Sequence, residues 1–112
     1  MIYALTVLIL SIGAPQEGSQ SGVWVWYATW CGPCRTQEAI ISKWAASKPT
    51  LNGKPLTVWK TDIDKSRELA QKWSIRVVPT LIIVVDNKAV RRIEGVTSES
   101  TLNQIFKQYE RR

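Results

Sequence analysis

The chain has no histidine and only two cysteines, Cys31 and Cys34. A zinc site closed within one chain generally uses four Cys or His ligands, so no metal is expected. Two copies sharing one ion is the arrangement that this ligand count leaves open. A secreted scaffold stapled by disulfides would need more cysteines, spaced across long loops. A ring between positions 31 and 34 removes little entropy from the unfolded chain, so it staples weakly. Long apolar runs are also scarce. The stretch from Met1 to Ala14 is nearly all apolar, yet a membrane span takes about 18 such residues, so no membrane association is expected. There is no internal repeat and no low-complexity tract. The net charge of +6 is not gathered into a stripe, so it implies solubility and basic ends such as Arg111 and Arg112. A nucleic-acid footprint would need that stripe, and no nucleic acid is expected as a partner.

What remains has the composition of an ordinary globule. With 112 residues, 45% hydrophobic and 21% charged, the chain supports one core and one domain over residues 1–112. Six tryptophans are many for this length, and several belong in the core or beside the site.

Residues 3 to 9 favour a buried strand through Tyr, Thr, Val and Ile. The rival is a secretory signal, which would have an apolar core of this length but also a basic start that the chain lacks beyond its amino terminus. Residues 15 to 22 (PQEGSQSG) are loop by composition. Val23 to Ala28 (VWVWYA) has the pattern of a strand buried on both faces. A helix is predicted from Arg35 to Ser47, with Gln37, Ile40, Ile41, Trp44 and Ala45 on its inner side. Lys48 to Pro55 breaks the chain. Leu56 to Thr61 is expected as a strand, followed by a helix through Arg67, Leu69, Ala70 and Trp73 that Asp62 or Asp64 can cap. Thr80 to Val85 and Ala89 to Glu94 form a hairpin turned at Asp86-Asn87. A last helix starts near Thr97 or Ser98 and aligns Leu102, Ile105, Phe106 and Tyr109 on one stripe. Strands alternating with helices imply an α/β fold, a mixed sheet flanked by helices with an antiparallel hairpin at one edge.

Both cysteines fall in Trp30-Cys31-Gly32-Pro33-Cys34, where a strand gives way to a helix. Unpaired backbone N–H groups and the helix dipole favour an anion at that point, so a thiolate is stabilised. A free thiol of pKa about 8.5 is only about 3% ionised at pH 7, whereas one near 7 is about half ionised. Cys31 is thereby the expected nucleophile. Cys34, one turn further and expected to be more buried, resolves the mixed disulfide. Gly32 leaves room for another chain to approach the sulfur. Pro33 has no N–H to lose at a helix start and stiffens the turn.

WCGPC after a hydrophobic strand resembles the active site of the thioredoxin family, and the likeness runs from about Val23 to Tyr109. Ser74 to Leu81 (SIRVVPTL) is similar to the family's segment facing the site. Val58 to Asp64 (VWKTDID) is similar to its third strand and following turn, and Gly95 to the glycine after its hairpin. The resemblance implies a thioredoxin-like fold with a cis bond before Pro79, Val78 pairing through its backbone with an extended substrate, and Trp30 forming a wall of the groove. Trp44, Trp59 and Trp73 are read as core. It further implies a protein-disulfide reductase whose only redox group is the Cys31/Cys34 pair. No separate cofactor is needed, and the partners are protein disulfides and an external disulfide reductase as electron donor.

The chain departs from the family's pattern at several positions. Val25 stands where the family usually buries an aspartate that handles the proton of the second cysteine, and valine cannot relay a proton. Lys60 matches the lysine that normally pairs with that aspartate; a lysine reaching to solvent from a strand is an equally good reading. Deprotonation of Cys34 is therefore expected to lean on water, or secondarily on Glu38, and resolution to be slow for the family. Ala39 replaces a kink-forming proline. The segment from Ser11 to Gly22 is too short and too rich in Gly, Ser and Pro for a full first helix, so that helix is expected to be missing or reduced. The expected setting is cytoplasmic and monomeric. An exported or membrane-tethered enzyme with the same chemistry, and a thioredoxin-like binding subunit of a larger assembly, are the alternatives.

Overall fold

The structure, a computed structural model, describes residues 18–111. The expectations for a strand or signal segment over residues 1–14, and for most of the shortened first helix, lie outside those residues. The described chain runs β1 (Gly22–Tyr27), α1 (Gly32–Ala46), β2 (Thr50–Leu51), β3 (Lys54–Pro55), β4 (Thr57–Asp62), α2 (Arg67–Lys72), β5 (Thr80–Val85), β6 (Lys88–Glu94) and α3 (Glu99–Gln108).

Four strands form one sheet in the order β4-β1-β5-β6. β1 lies parallel to β4 with Val23 opposite Val58, and antiparallel to β5 with Val23 opposite Ile83. β5 and β6 pair antiparallel, with a register shift at Ile83/Val84. Asp86 and Asn87 both take positive φ, as the tight turn between those strands requires.

The sequence VWVWY puts apolar side chains on both faces of β1, and both faces are used. Val23 and Val25 join Leu81 and Ile83 in a core closed by Ile41 and Trp44 of α1 and by Leu102, Ile105 and Phe106 of α3. On the opposite face Trp26 and Ile82 pack against Ala70 of α2, with Trp24, Trp73 and Ile75 at the margin. Trp44 is buried, stacks on Phe106 and donates from Nε1 to Asn103 Oδ1 at 2.9 Å. Trp59 and Trp73, read above as core, are only half-buried: Trp59 lies on the edge strand β4, and Trp73, at the end of α2, packs against the margin of the Trp26 cluster.

Other expectations are corrected by geometry. Gly22 is no loop residue but the buried first residue of β1, because a Cβ there would overlap the Thr57 carbonyl on the neighbouring strand. α1 begins three residues before Arg35, since Cys31 itself serves as the cap and Pro33 fits the first turn. Its inner face holds Cys34, Gln37, Ile41 and Trp44, while Ile40 is at the margin and Ala45 is exposed. The break at 48–55 contains a small antiparallel ribbon, Thr50–Leu51 on Lys54–Pro55, turned by Asn52 and Gly53 at positive φ. α2 is one short stretch with Ser66 at its N-cap position, where the hydroxyl makes no capping bond. Asp62 does not cap it by side chain; its Oδ1 accepts from the Asp64 N–H at 2.9 Å and shapes the preceding turn. Ser98 caps α3 as expected, its hydroxyl accepting from the Thr101 N–H at 3.2 Å.

Candidate active site

β1 ends at Tyr27, and the chain turns through Ala28 to Trp30 before α1 begins. A hydrogen bond from Cys31 N to Ala28 O at 3.2 Å closes that turn. Cys31 keeps extended backbone angles (φ −91°, ψ 113°), and its sulfur accepts from the Cys34 N–H at 3.1 Å. An N–H of the first helical turn, which has no partner within the helix, therefore points at Sγ. Such a donor, together with the helix dipole, stabilises negative charge there once the sulfur is a thiolate. Cys31 and Cys34 are joined as a disulfide, with Cα atoms 5.3 Å apart.

Exposure does not bear out a greater burial of Cys34. Cys31 is 4% exposed and Cys34 6%, so accessibility does not tell them apart. Position does. Cys31 occupies the helix cap and faces the neighbouring loop, whereas Cys34 lies one turn inside. A Cβ built on Gly32 would meet nothing within 4 Å, so the ring is flanked by open space on that side.

Across from the disulfide, the Val78–Pro79 peptide bond is cis. The Val78 carbonyl oxygen is 3.6 Å from Cys31 Sγ, close enough to accept from the thiol when the pair is reduced. The buried Thr80 holds this turn by donating from Oγ1 to Val77 O at 2.7 Å. Gly95, at φ +97°, donates its N–H to Pro79 O at 2.8 Å. That left-handed conformation explains the glycine.

Three exposed apolar side chains belong to the segments that meet here: Trp30, Val77 and Val96. Each is next in sequence to a residue bonded across the site, Cys31, Val78 and Gly95 respectively, and exposed hydrophobics on converging segments suit a contact surface. Trp30 is 67% exposed, and its indole Nε1 donates to Asp64 Oδ2 at 2.9 Å, which fixes the ring's orientation. Asp64 was read from the sequence only as a helix cap; this bond gives it a place at the site.

Behind the disulfide lies a cavity of about 390 Å³, lined in part by Val25, Cys34, Glu38 and Lys60. The structure thus brings together the positions singled out for proton handling. Val25 is buried, while Glu38 and Lys60 are exposed at the cavity's mouth. Among the described residues, no group of three Cys, His, Asp or Glu side chains is placed to hold a metal ion. Nor is any helix there long and apolar enough to cross a membrane.

Comparison with known proteins gives a consistent match. The thioredoxin family model covers residues 16–108. A thioredoxin from Chlamydia trachomatis is 32% identical over 84 residues, 75% of this chain and 78% of that protein. One from Mycobacterium tuberculosis is 36% identical over 76 residues, 68% of this chain and 62% of that protein. Among solved structures, thioredoxin-2 of a malaria parasite superposes with a TM-score of 0.71 at 27% identity, covering 80% of this chain and 84% of that one. A mutant thioredoxin from Halobacterium salinarum also gives 0.71, at 26% identity, covering 90% of this chain and 84% of that one.

Proposed function

The chain belongs to the thioredoxin family, a family of thiol-disulfide oxidoreductases, and from that premise we propose that it reduces disulfide bonds of protein substrates. The observation that carries the reading is the placement of Cys31 Sγ, capped by the Cys34 N–H and 3.6 Å from Val78 O beside the cis bond. The reduced Cys31 thiolate attacks one sulfur of a substrate disulfide, forming a mixed disulfide and expelling the other sulfur as a thiolate, which takes up a proton. Cys34, on losing its own proton, attacks Cys31 Sγ. The Cys31–Cys34 bond forms, and the second substrate sulfur leaves as a thiol. Two electrons and two protons pass to the substrate, and an external disulfide reductase restores the dithiol.

In this scheme the Val78 backbone pairs with the extended substrate beside Pro79. Trp30 and the loop after Gly95 form the walls, and Gly32 admits the substrate chain. Pro33 keeps the ring stiff. Lys60 and Glu38 stand at the cavity through which water reaches Cys34. A cytoplasmic setting suits the chemistry, since a reducing compartment keeps such a pair recharged. An intact Met1 or Ile2 start, found by mass spectrometry of the protein from its host, supports that setting, and a shortened start opposes it.

Incubation of Cys34→Ser with insulin tests the chemistry. A mixed disulfide mapped to Cys31, and no adduct with Cys31→Ser, is the expected result. Turnover by Cys31→Ser, or no adduct with Cys34→Ser, overturns the assignment.

A further inference from the structure

Gln37 is the one polar residue on the buried face of α1, where it lies between Cys34 and Ile41 and is fully inaccessible. Both ends of its amide are bonded to a single partner residue. Nε2 donates to the Thr97 carbonyl at 3.0 Å, and Oε1 accepts from the Thr97 N–H at 2.6 Å. Thr97 is itself buried, so without Gln37 two buried backbone groups would lack partners. An apolar side chain of equal size would fill the space without meeting that need.

The segment held in this way begins at the site. Gly95 donates to Pro79 O, Val96 stands exposed, and Thr97 is fastened to the helix that carries both cysteines. The loop is therefore tied at one end to the cis-proline turn and at the other to α1. Its exposed member is held in place between the two ties. A closed frame results: Cys34, Gln37, Thr97, Gly95, Pro79, Val78 and back to Cys31.

We infer that Gln37 is a positioning residue for substrate recognition, holding the Val96 rim in register with Cys31 and so governing affinity for protein disulfides rather than the thiol chemistry. The inference rests on the proposed exchange at Cys31 across the Val78–Pro79 turn. A small disulfide needs access only to the sulfur, whereas a protein segment must also lie against the rim. Loss of the frame therefore affects the two kinds of substrate unequally.

The test compares insulin, with dithiothreitol as electron donor to the whole chain, with 5,5′-dithiobis(2-nitrobenzoic acid), reacted in a single turnover with the whole chain after it has been reduced and freed of dithiothreitol. Gln37→Met is expected to raise KM for insulin about tenfold, with kcat and the small-disulfide rate within about twofold of the parent. Gln37→Glu is the conservative control. Its buried carboxyl, kept protonated by desolvation, offers one acceptor and one donor in the same places and is expected to hold KM within about twofold. Hydrogen exchange on the unsubstituted protein gives a readout independent of either variant's folding: the Thr97 amide should exchange at least about a hundredfold more slowly than a free peptide. Parallel loss on both substrates, an unchanged KM in Gln37→Met, a raised KM in Gln37→Glu, or an unprotected Thr97 amide each overturns the inference. Failure of the parent on both substrates instead overturns the exchange reading and this inference with it.

Discussion

Outside the cysteine pair, Val25 is the side chain with the largest expected consequence for rate. It is 4% exposed, lines the cavity that reaches Cys34, and lies opposite Lys60 in the β1–β4 register. A carboxyl in its place would stand beside the resolving cysteine as a proton acceptor, a role that valine cannot fill. Val25→Asp should therefore speed disulfide reduction at pH 7 by at least about threefold, the ceiling being the roughly 10²–10⁴-fold that a well-placed base contributes. It should also lower stability by about 2–3 kcal/mol, because the new polar group is buried. Stopped-flow kinetics and urea unfolding measure both. An unchanged or slower rate would show that proton transfer from Cys34 does not limit the reaction.

The part of the site that was legible in the sequence consists of residues whose chemistry is local. Cys31, Pro33 and Cys34 announce a thiol pair at a helix start by type and spacing alone. Gln37 and Asp64 were not read as site residues because their partners, Thr97 and Trp30, lie 60 and 34 positions away. A hint was available for Gln37, the lone amide on an apolar helical stripe. The relative burial of the two cysteines is not legible in the sequence for a similar reason: helix depth is local, whereas exposure depends on which loops fold over the turn.

Among the elements, those with a clean hydrophobic period were read nearly to their ends, β5 and α3 above all. Errors gathered where backbone proximity decides the outcome. Gly22 looks like loop material in PQEGSQSG, yet its missing side chain is what lets β1 and β4 approach at Thr57. Gly22→Ala should accordingly cost about 1–3 kcal/mol, because the obstructing atoms are backbone and cannot swing aside. Equilibrium urea denaturation measures that cost, and a loss below about 0.5 kcal/mol, within the ordinary range for a surface substitution, would contradict the close approach. The ribbon Thr50–Leu51/Lys54–Pro55 escaped notice because two-residue strands carry no period. The Asn52-Gly53 turn was its only sign.

Taken together, the fold is a sheet with apolar faces on both sides whose strand and helix ends deliver three segments to one place. The capped helix start, the cis-proline turn and the Gly95 loop come from distant parts of the chain and meet around one sulfur pair. That convergence distinguishes a redox site from a mere CxxC. It also makes a direct demand: the dithiol must be a better reductant than glutathione if it is to reduce protein disulfides. For such a couple, each 30 mV is about 1.4 kcal/mol. The measurement that bears most directly on this is the reduction potential of Cys31/Cys34, obtained by equilibrating the full chain against glutathione and counting free thiols. A value near the −270 mV general to thioredoxins is expected, about 10–50 mV below a glutathione poise of about −220 to −260 mV. A value near −120 mV would mark an oxidant and contradict the account.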